Sequence, residues 1–397
     1  MSSPGSILVV GASTAALATA EALRRKGYRG ALTVLGAEPH LPYDRPPLSK
    51  QVLSGAWEAE RAQLRPQQAL DALDAEFVLG DPAVALDAAA RTVTSAAGRT
   101  LAADAVVLAT GIRPRSLPGS DGLLGVHVLR SLDHAADLRD DLLTAANAVV
   151  VGDGVLGAEI AATARALGAP VTLVGPQPAL MARQLGPRVA ALLGTLHVEH
   201  GVRLVPDTAV DALTEHHGQV SGVRLATGEV LPADVVVAAI GSVPATDWLE
   251  GSGLVLEDGV VCDSRCRTSA PGIYAVGDVA RWHHEQLGAM LRLENRTNAT
   301  EQAGIVAGNI LGEDRPYTPV PYFWTDQFDA RIQVHGMPFA DADVEIVEGS
   351  EDDRRFVALY RRGGRPTAVL GWNMPKQTRL HRQAIVATAD ALLTLNR

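Results

Sequence analysis

Residues 7–10, ILVV, form a short unbroken apolar run, the pattern of a strand covered on both faces. Residues 15–26 then place Ala and Leu at helical spacing and finish on Arg24, Arg25 and Lys26 before Gly27, a helix stop. A second apolar run follows at 31–35. Strand, glycine turn, helix and strand in that order predict a βαβ unit. The pattern returns at 148–174, AVVVGDGVLGAEIAATARALGAPVTLV, so the chain is expected to bind two nucleotides. Apolar strands also run into Gly-Pro turns in LAADAVVLATGIRPR (101–115) and ADVVVAAIGSVP (233–244), where crossings between domains are expected. Past residue 312 the texture changes. Aromatics gather in YTPVPYFWTDQF, and the segments RRFVALYRR and TAVLGW predict antiparallel strands and a further domain.

Composition narrows the picture. The 397 residues exceed one ordinary core and fit two or three domains. With 47% hydrophobic residues, 38 glycines and only 4% aromatics, the balance favours tight turns and small-residue packing, as in α/β sheets. A net charge of −10 argues against nucleic-acid binding. MSSPGSILVV has no basic segment ahead of a long apolar run, and no stretch of 18 apolar residues occurs; a cytoplasmic protein without membrane insertion is expected. Cys262 and Cys266, in CDSRC, match neither a CxxC pair nor a zinc pattern and read as reduced structural thiols. The eleven histidines show no metal-ligand spacing, so no metal is expected.

The glycine turns carry the first chemistry. Gly152, Gly154 and Gly157 complete GxGxxG directly after a strand and before a helix. The first permits the turn, the second lets backbone approach a pyrophosphate, and the third lets helix pack on strand. In the first unit Gly11 is followed by Ser13 and Ala16, small residues where glycines are usual. An acidic residue ordinarily ends the second strand and holds a ribose hydroxyl. Here those places are Gly36, with Glu38 two residues on, and Gly175, whose nearest following base is Arg183. NADH and NADPH both remain compatible with this pattern.

Many further segments share one resemblance: PYDRPPLSK (42–50), ATG (109–111), LRSLDHA (129–135), GDGVLGAE (152–159), IGSVP (240–244), TSAPGIYAVGDVA (268–280), NATEQA (298–303) and YFWTDQ (322–327). In their order the chain resembles the FAD-dependent NAD(P)H:ferredoxin reductases of cytochrome P450 and Rieske oxygenase systems, the putidaredoxin reductase-like family. The resemblance covers nearly the whole length. It implies an α/β fold with two Rossmann-like, glutathione-reductase-like domains plus a C-terminal α+β domain: FAD-binding at 1–112 and 242–314, NAD(P)H-binding at 113–241, and 315–397 at the flavin and ferredoxin interface. It implies FAD, with NADH (favoured) or NADPH as the electron source. Asp278 would hold the FAD ribityl chain, and Ala15, Lys50, Ala83, Arg130 and Arg296 fall at FAD-contacting positions. Ala15 and Ala83 would act through backbone, and Arg296 stands where the family often has an apolar residue. Glu38 would meet the adenosine ribose. Arg45, Thr110, Gly111, Gly241 and Gly277 join them as cofactor-binding positions within the matched motifs. Lys50 and Glu159 resemble a charge pair at the reactive edge of the flavin, the cation favouring anionic reduced flavin.

In disulfide reductases of related fold, the segment equivalent to 42–50 carries a redox cysteine pair. This chain has no cysteine before Cys262. The prolines instead predict a short helix over PLSKQVLSG, and electrons are expected to leave the flavin directly for another protein. The expected partner is an acidic [2Fe–2S] or [3Fe–4S] ferredoxin, met by a monomer. From Arg354 to Arg382 the chain carries eight Lys or Arg and no acid, a candidate docking face. Trp324 would lie between flavin and docking surface. The alternatives are an NAD(P)H oxidase, a quinone or rubredoxin reductase of the same fold, or an NADH-sensing flavoprotein.

Overall fold

The computed structural model describes residues 3–383 and 385. The chain packs as two compact units. One combines residues up to Asp44 with Gln63–Arg113 and Val243–Pro321; the other combines Arg45–Ala62, Pro114–Ser242 and the described residues from Tyr322 onward.

The first unit is built on a five-stranded sheet of order Ile273–Ala275, Ala105–Leu108, Ser6–Val10, Ala31–Leu35, Glu76–Val78, every neighbour parallel. Strand Ser6–Val10 is central, and Ile7 to Val10 are buried, as the unbroken apolar run requires. The helix Thr14–Arg25 follows at once and packs on the helix Arg296–Ile310. Tyr317 and Pro319 also stay with this unit. The Trp282 indole donates to the Tyr317 carbonyl at 3.1 Å, and His284 Nε2 lies 3.0 Å from the Pro319 carbonyl.

The second unit repeats the plan. Its parallel sheet runs Arg203–Val205, Val171–Val174, Ala148–Val151, Val235–Ala238, Val126–His127. In both sheets the first βαβ strand sits where the strand order reverses, and ligands bind beyond the carboxyl ends of strands at that switch. A five-stranded antiparallel sheet completes the unit, in the order Tyr322–Gln327, Ala330–Gly336, Arg365–Trp372, Arg355–Arg362, Asp343–Ser350. Phe356, Tyr360 and Trp372 are fully buried in it. Among the described residues no helix is long and apolar enough to cross a membrane.

Two segments are fastened within the second unit, and a third departs from its expected helix. Residues 45–62 lie in the second unit, fastened by the Arg45 guanidinium on the Arg130 carbonyl and by Thr163 Oγ1 on the Ser49 carbonyl at 2.7 Å. The C-terminal sheet packs within that unit, where the Tyr360 hydroxyl donates to the Leu185 carbonyl and Arg354 pairs with Glu199 at 2.6 Å. The expected helix over PLSKQVLSG shrinks to a single 3₁₀ turn, Pro46–Ser49. Lys50 leaves helical space at φ −126°, ψ −95°, and the rest of the segment runs as hydrogen-bonded turns. That break turns the Lys50 ammonium onto an acid far along the chain.

Candidate functional site

In the first unit Gly11 has φ +119°, and a Cβ there would lie 2.2 Å from the Ala109 carbonyl oxygen. Backbone bonds seal the turn: Gly11 N–H donates to Leu35 at 2.7 Å and Ala109 N–H to Val10 at 2.7 Å. Ser13 caps the helix with extended backbone and no side-chain bond, so the first helical amides are left for a ligand, and Ala15 and Ala16 are buried behind it. The second unit reproduces this cradle. Gly152 has φ +121°, its Cβ would lie 2.2 Å from the Ala239 carbonyl oxygen, and Gly154 caps the helix Val155–Ala166. A Cβ on Gly157 would come 1.9 Å from the Gly152 oxygen, so only glycine fits. Both turns therefore fit a dinucleotide pyrophosphate.

Other expected contacts group by unit. In the first, Thr110 Oγ1 donates to the Ala245 carbonyl at 2.9 Å, and Gly111 at φ +71° accepts from Ala245 N–H at 2.9 Å. Gly277, at φ +75°, would press a Cβ to within 2.9 Å of the Ala15 Cβ; its amide donates to Gln302 Oε1 at 2.7 Å and so aims the following Asp278. Glu38 accepts from the Tyr43 hydroxyl, and Ala83 opens the strand Ala83–Asp87. Arg296 Nε donates to both Asp44 oxygens at 2.9 and 3.0 Å, and the residue opens a helix capped by Asn295. In the second unit, Gly241 at φ +91° accepts from Arg115 N–H at 3.0 Å, and Trp324 stacks on Tyr322 at 6.0 Å.

Lys50 and Glu159, 109 residues apart, meet inside the second unit: Nζ lies 2.7 Å from Glu159 Oε2, with side chains 12% and 6% exposed. Ser49 Oγ donates to the same oxygen at 2.5 Å, and Thr325 Oγ1 donates to Oε1 at 2.8 Å. Gln327 Nε2 donates to Thr325 at 2.9 Å, and Gln327 Oε1 accepts from His197 Nε2 at 2.7 Å. Burial drives the His197 pKa down to about 4; its Nδ1 has no partner, so a proton there would be unsatisfied in the interior. Burial also raises the Asp326 carboxyl, against the pull of Lys50 and Arg331. Ser49, Thr325, Gln327 and His197 were missed by sequence reasoning. Thr325 and Gln327 had a signal: period two on strand 322–327 puts both on one face.

The thiols match their expected role. Cys262 and Cys266 are free and buried, and burial pushes Cys266 to about 12 and Cys262 well above its ordinary value, so neither offers a thiolate. The basic run is partly neutralised: Arg354 pairs with Glu199, Arg361 with Glu345 at 3.3 Å, and Arg362 with Asp341 at 3.0 Å. Arg365, Lys376 and Arg379 are exposed.

Two sealed glycine turns on twin parallel sheets, with a buried Lys–Glu pair and no thiol beside it, define a dinucleotide-dependent oxidoreductase. The chain belongs to the pyridine nucleotide-disulphide oxidoreductase family, which its residues 5–303 match, and residues 322–393 match the reductase C-terminal domain. It is 36% identical to rhodocoxin reductase of Rhodococcus erythropolis over 94% of this chain and 87% of that one. It is 38% identical to the ferredoxin–NAD(+) reductase subunit of the benzene 1,2-dioxygenase system of Pseudomonas putida, over 83% of this chain and 80% of that one. The ferredoxin reductase of the CYP199A2 system from Rhodopseudomonas palustris superposes with a TM-score of 0.92 at 33% identity, covering 95% of this chain and 93% of its own.

Proposed function

We propose that this protein is an FAD-dependent NADH:ferredoxin oxidoreductase that delivers single electrons to an iron–sulfur ferredoxin serving an oxygenase. The observation that carries the reading is the convergence of Ser49, Lys50 and Thr325 on Glu159, in a chain with no cysteine before Cys262. Bound FAD supplies the conversion of two-electron into one-electron chemistry. The protein's residues bind and orient. The Gly11–Ser13 turn, Asp278 and the Arg296 backbone are assigned to FAD; the Gly152–Gly157 turn is assigned to the nicotinamide dinucleotide. Lys50 provides a cation whose field favours negative charge on its neighbour, and Glu159 balances it. We assign Arg45, Arg130 and Trp324 to the same cofactor-facing set.

The docking of an acidic [2Fe–2S] or [3Fe–4S] ferredoxin is assigned to Arg365, Lys376 and Arg379, three of the exposed cations of the basic run. A monomer working in the cytoplasm, where reduced nicotinamide is made, is the form proposed. The test is cytochrome c reduction by NADH with and without a panel of ferredoxins. Yellow protein with ferredoxin-dependent turnover is expected. Colourless protein that cannot be reconstituted with FAD, or equal turnover without ferredoxin, would overturn the proposal.

A further inference from the structure

Gly175 ends the second βαβ strand of the second unit, at the place an acid ordinarily takes. The structure shows why no acid can stand there. A Cβ on Gly175 would lie 2.3 Å from both Cγ and Oδ2 of Asp153 and 2.6 Å from its Cβ. The carboxylate of Asp153, the residue inside the glycine turn, already occupies the strand-end space. The first unit supplies the control: Gly36 is blocked in the same way, with a virtual Cβ 2.6 Å from the Ala12 Cβ, but there the blocking residue is an alanine.

We infer that Asp153 performs the ribose-binding task of the missing strand-end acid and makes the site select NADH over NADPH. This rests on the proposed nicotinamide site at Gly152–Gly157. The carboxylate is fixed by Gln177, whose backbone N–H donates to Oδ2 and whose Nε2 donates to Oδ1, each at 2.7 Å. The loop wraps the same residue, with Met181 N–H on the Asp153 carbonyl at 2.8 Å. A carboxylate has about four acceptor positions and these bonds use two. The remaining two suit the paired hydroxyls of an unmodified ribose. A 2′-phosphate offers no such donors and repels the charge. Asp153, Gly175 and Gln177 also line a cavity of about 140 Å³, so the space beside the carboxylate is not filled by protein. Arg183, the base nearest in sequence, is exposed, and its backbone N–H is spent on Gln177 Oε1 at 2.8 Å.

The test is calorimetric titration of the oxidised holoprotein with NAD+ and NADP+. The wild type is expected to bind NAD+ at least about tenfold more tightly, the scale of a charged hydrogen bond plus repulsion. Asp153→Ser should weaken NAD+ about tenfold while leaving NADP+ unchanged or tighter, so that discrimination collapses. A merely structural role would weaken both dinucleotides alike and would overturn the inference. The double variant Asp153→Gly with Gly175→Glu removes the obstructing Cβ as well as the carboxylate, returns the acid to the strand end and should restore the NAD+ preference. A preference for NAD+ untouched by Asp153→Ser would sink this inference and leave the proposed function standing, and a wild type that prefers NADP+ would sink this inference and the choice of NADH while leaving electron delivery from a nicotinamide dinucleotide to ferredoxin standing. A wild type that binds neither dinucleotide would sink both.

Discussion

At the scale of single residues, His197 shows how burial becomes a pH dependence. Its folded pKa is lowered from 6.5 to about 4. Above about pH 6.5 the ring is neutral in both folded and unfolded chains, and its contribution is fully present. As pH falls from 6.5 towards 4 the unfolded chain takes up the proton and the folded one does not, so stability is lost, by about 3 kcal/mol at most. The urea midpoint should therefore drop between pH 7 and pH 4.5, and His197→Gln should flatten that drop; an unchanged pH profile in the variant would rule the histidine out. Gly152 makes a steric prediction. Alanine there must hold φ +121° with a Cβ 2.2 Å from a carbonyl oxygen. Gly152→Ala should cost about 1–3 kcal/mol in thermal unfolding and weaken NAD+ binding while bound flavin is retained.

At the scale of elements, the strand Tyr322–Gln327 and the 3₁₀ turn Pro46–Ser49 both serve the helix Val155–Ala166. Glu159 projects from that helix, 5% exposed, and receives donors from each element. Thr325→Val leaves one carboxylate oxygen short of a buried partner and should cost about 1–3 kcal/mol by denaturant titration. Lys50→Ala strands a buried charge and should cost about 3–5 kcal/mol. Adding Glu159→Gln to Lys50→Ala should recover part of that loss; simple additivity of the two would show that the charges do not interact. The elements themselves were largely legible. The helix expected at 15–26 is Thr14–Arg25, and the run 31–35 is a strand in full. The PLSKQVLSG helix was not, because local propensity says nothing of the distant carboxylate that draws Lys50 out of helical space.

At the scale of the whole molecule, electron delivery without thiols is the property most open to test. Cys262→Ala with Cys266→Ala should retain NADH-driven ferredoxin reduction, with some lost stability from the two vacated core positions. Loss of ferredoxin reduction in flavin-replete double variant would restore a thiol relay to consideration. Lys376→Glu with Arg379→Glu should slow ferredoxin reduction about tenfold at low salt and much less at high salt. A rate unchanged at low salt would move the docking surface elsewhere. The steering field should come from fewer cations than the eight in the run, since Arg354, Arg361 and Arg362 each face a carboxylate.

Apolar runs, glycine spacing and the late first cysteine were enough to determine two Rossmann-like units, two glycine turns and the absence of any cysteine from the segment 42–50. These follow from local backbone preference and from residue types that are present or absent, both written along the chain. Which side chains converge was decided only in three dimensions. Glu159 collects donors from positions 49, 50 and 325, arginines of the basic run find acids on a neighbouring strand, the turn before it and a helix, and Asp153 fills the space over Gly175. Periodicity encodes which face a residue takes, but contact between residues far apart in sequence depends on where the chain returns, and that is a property of the packed fold.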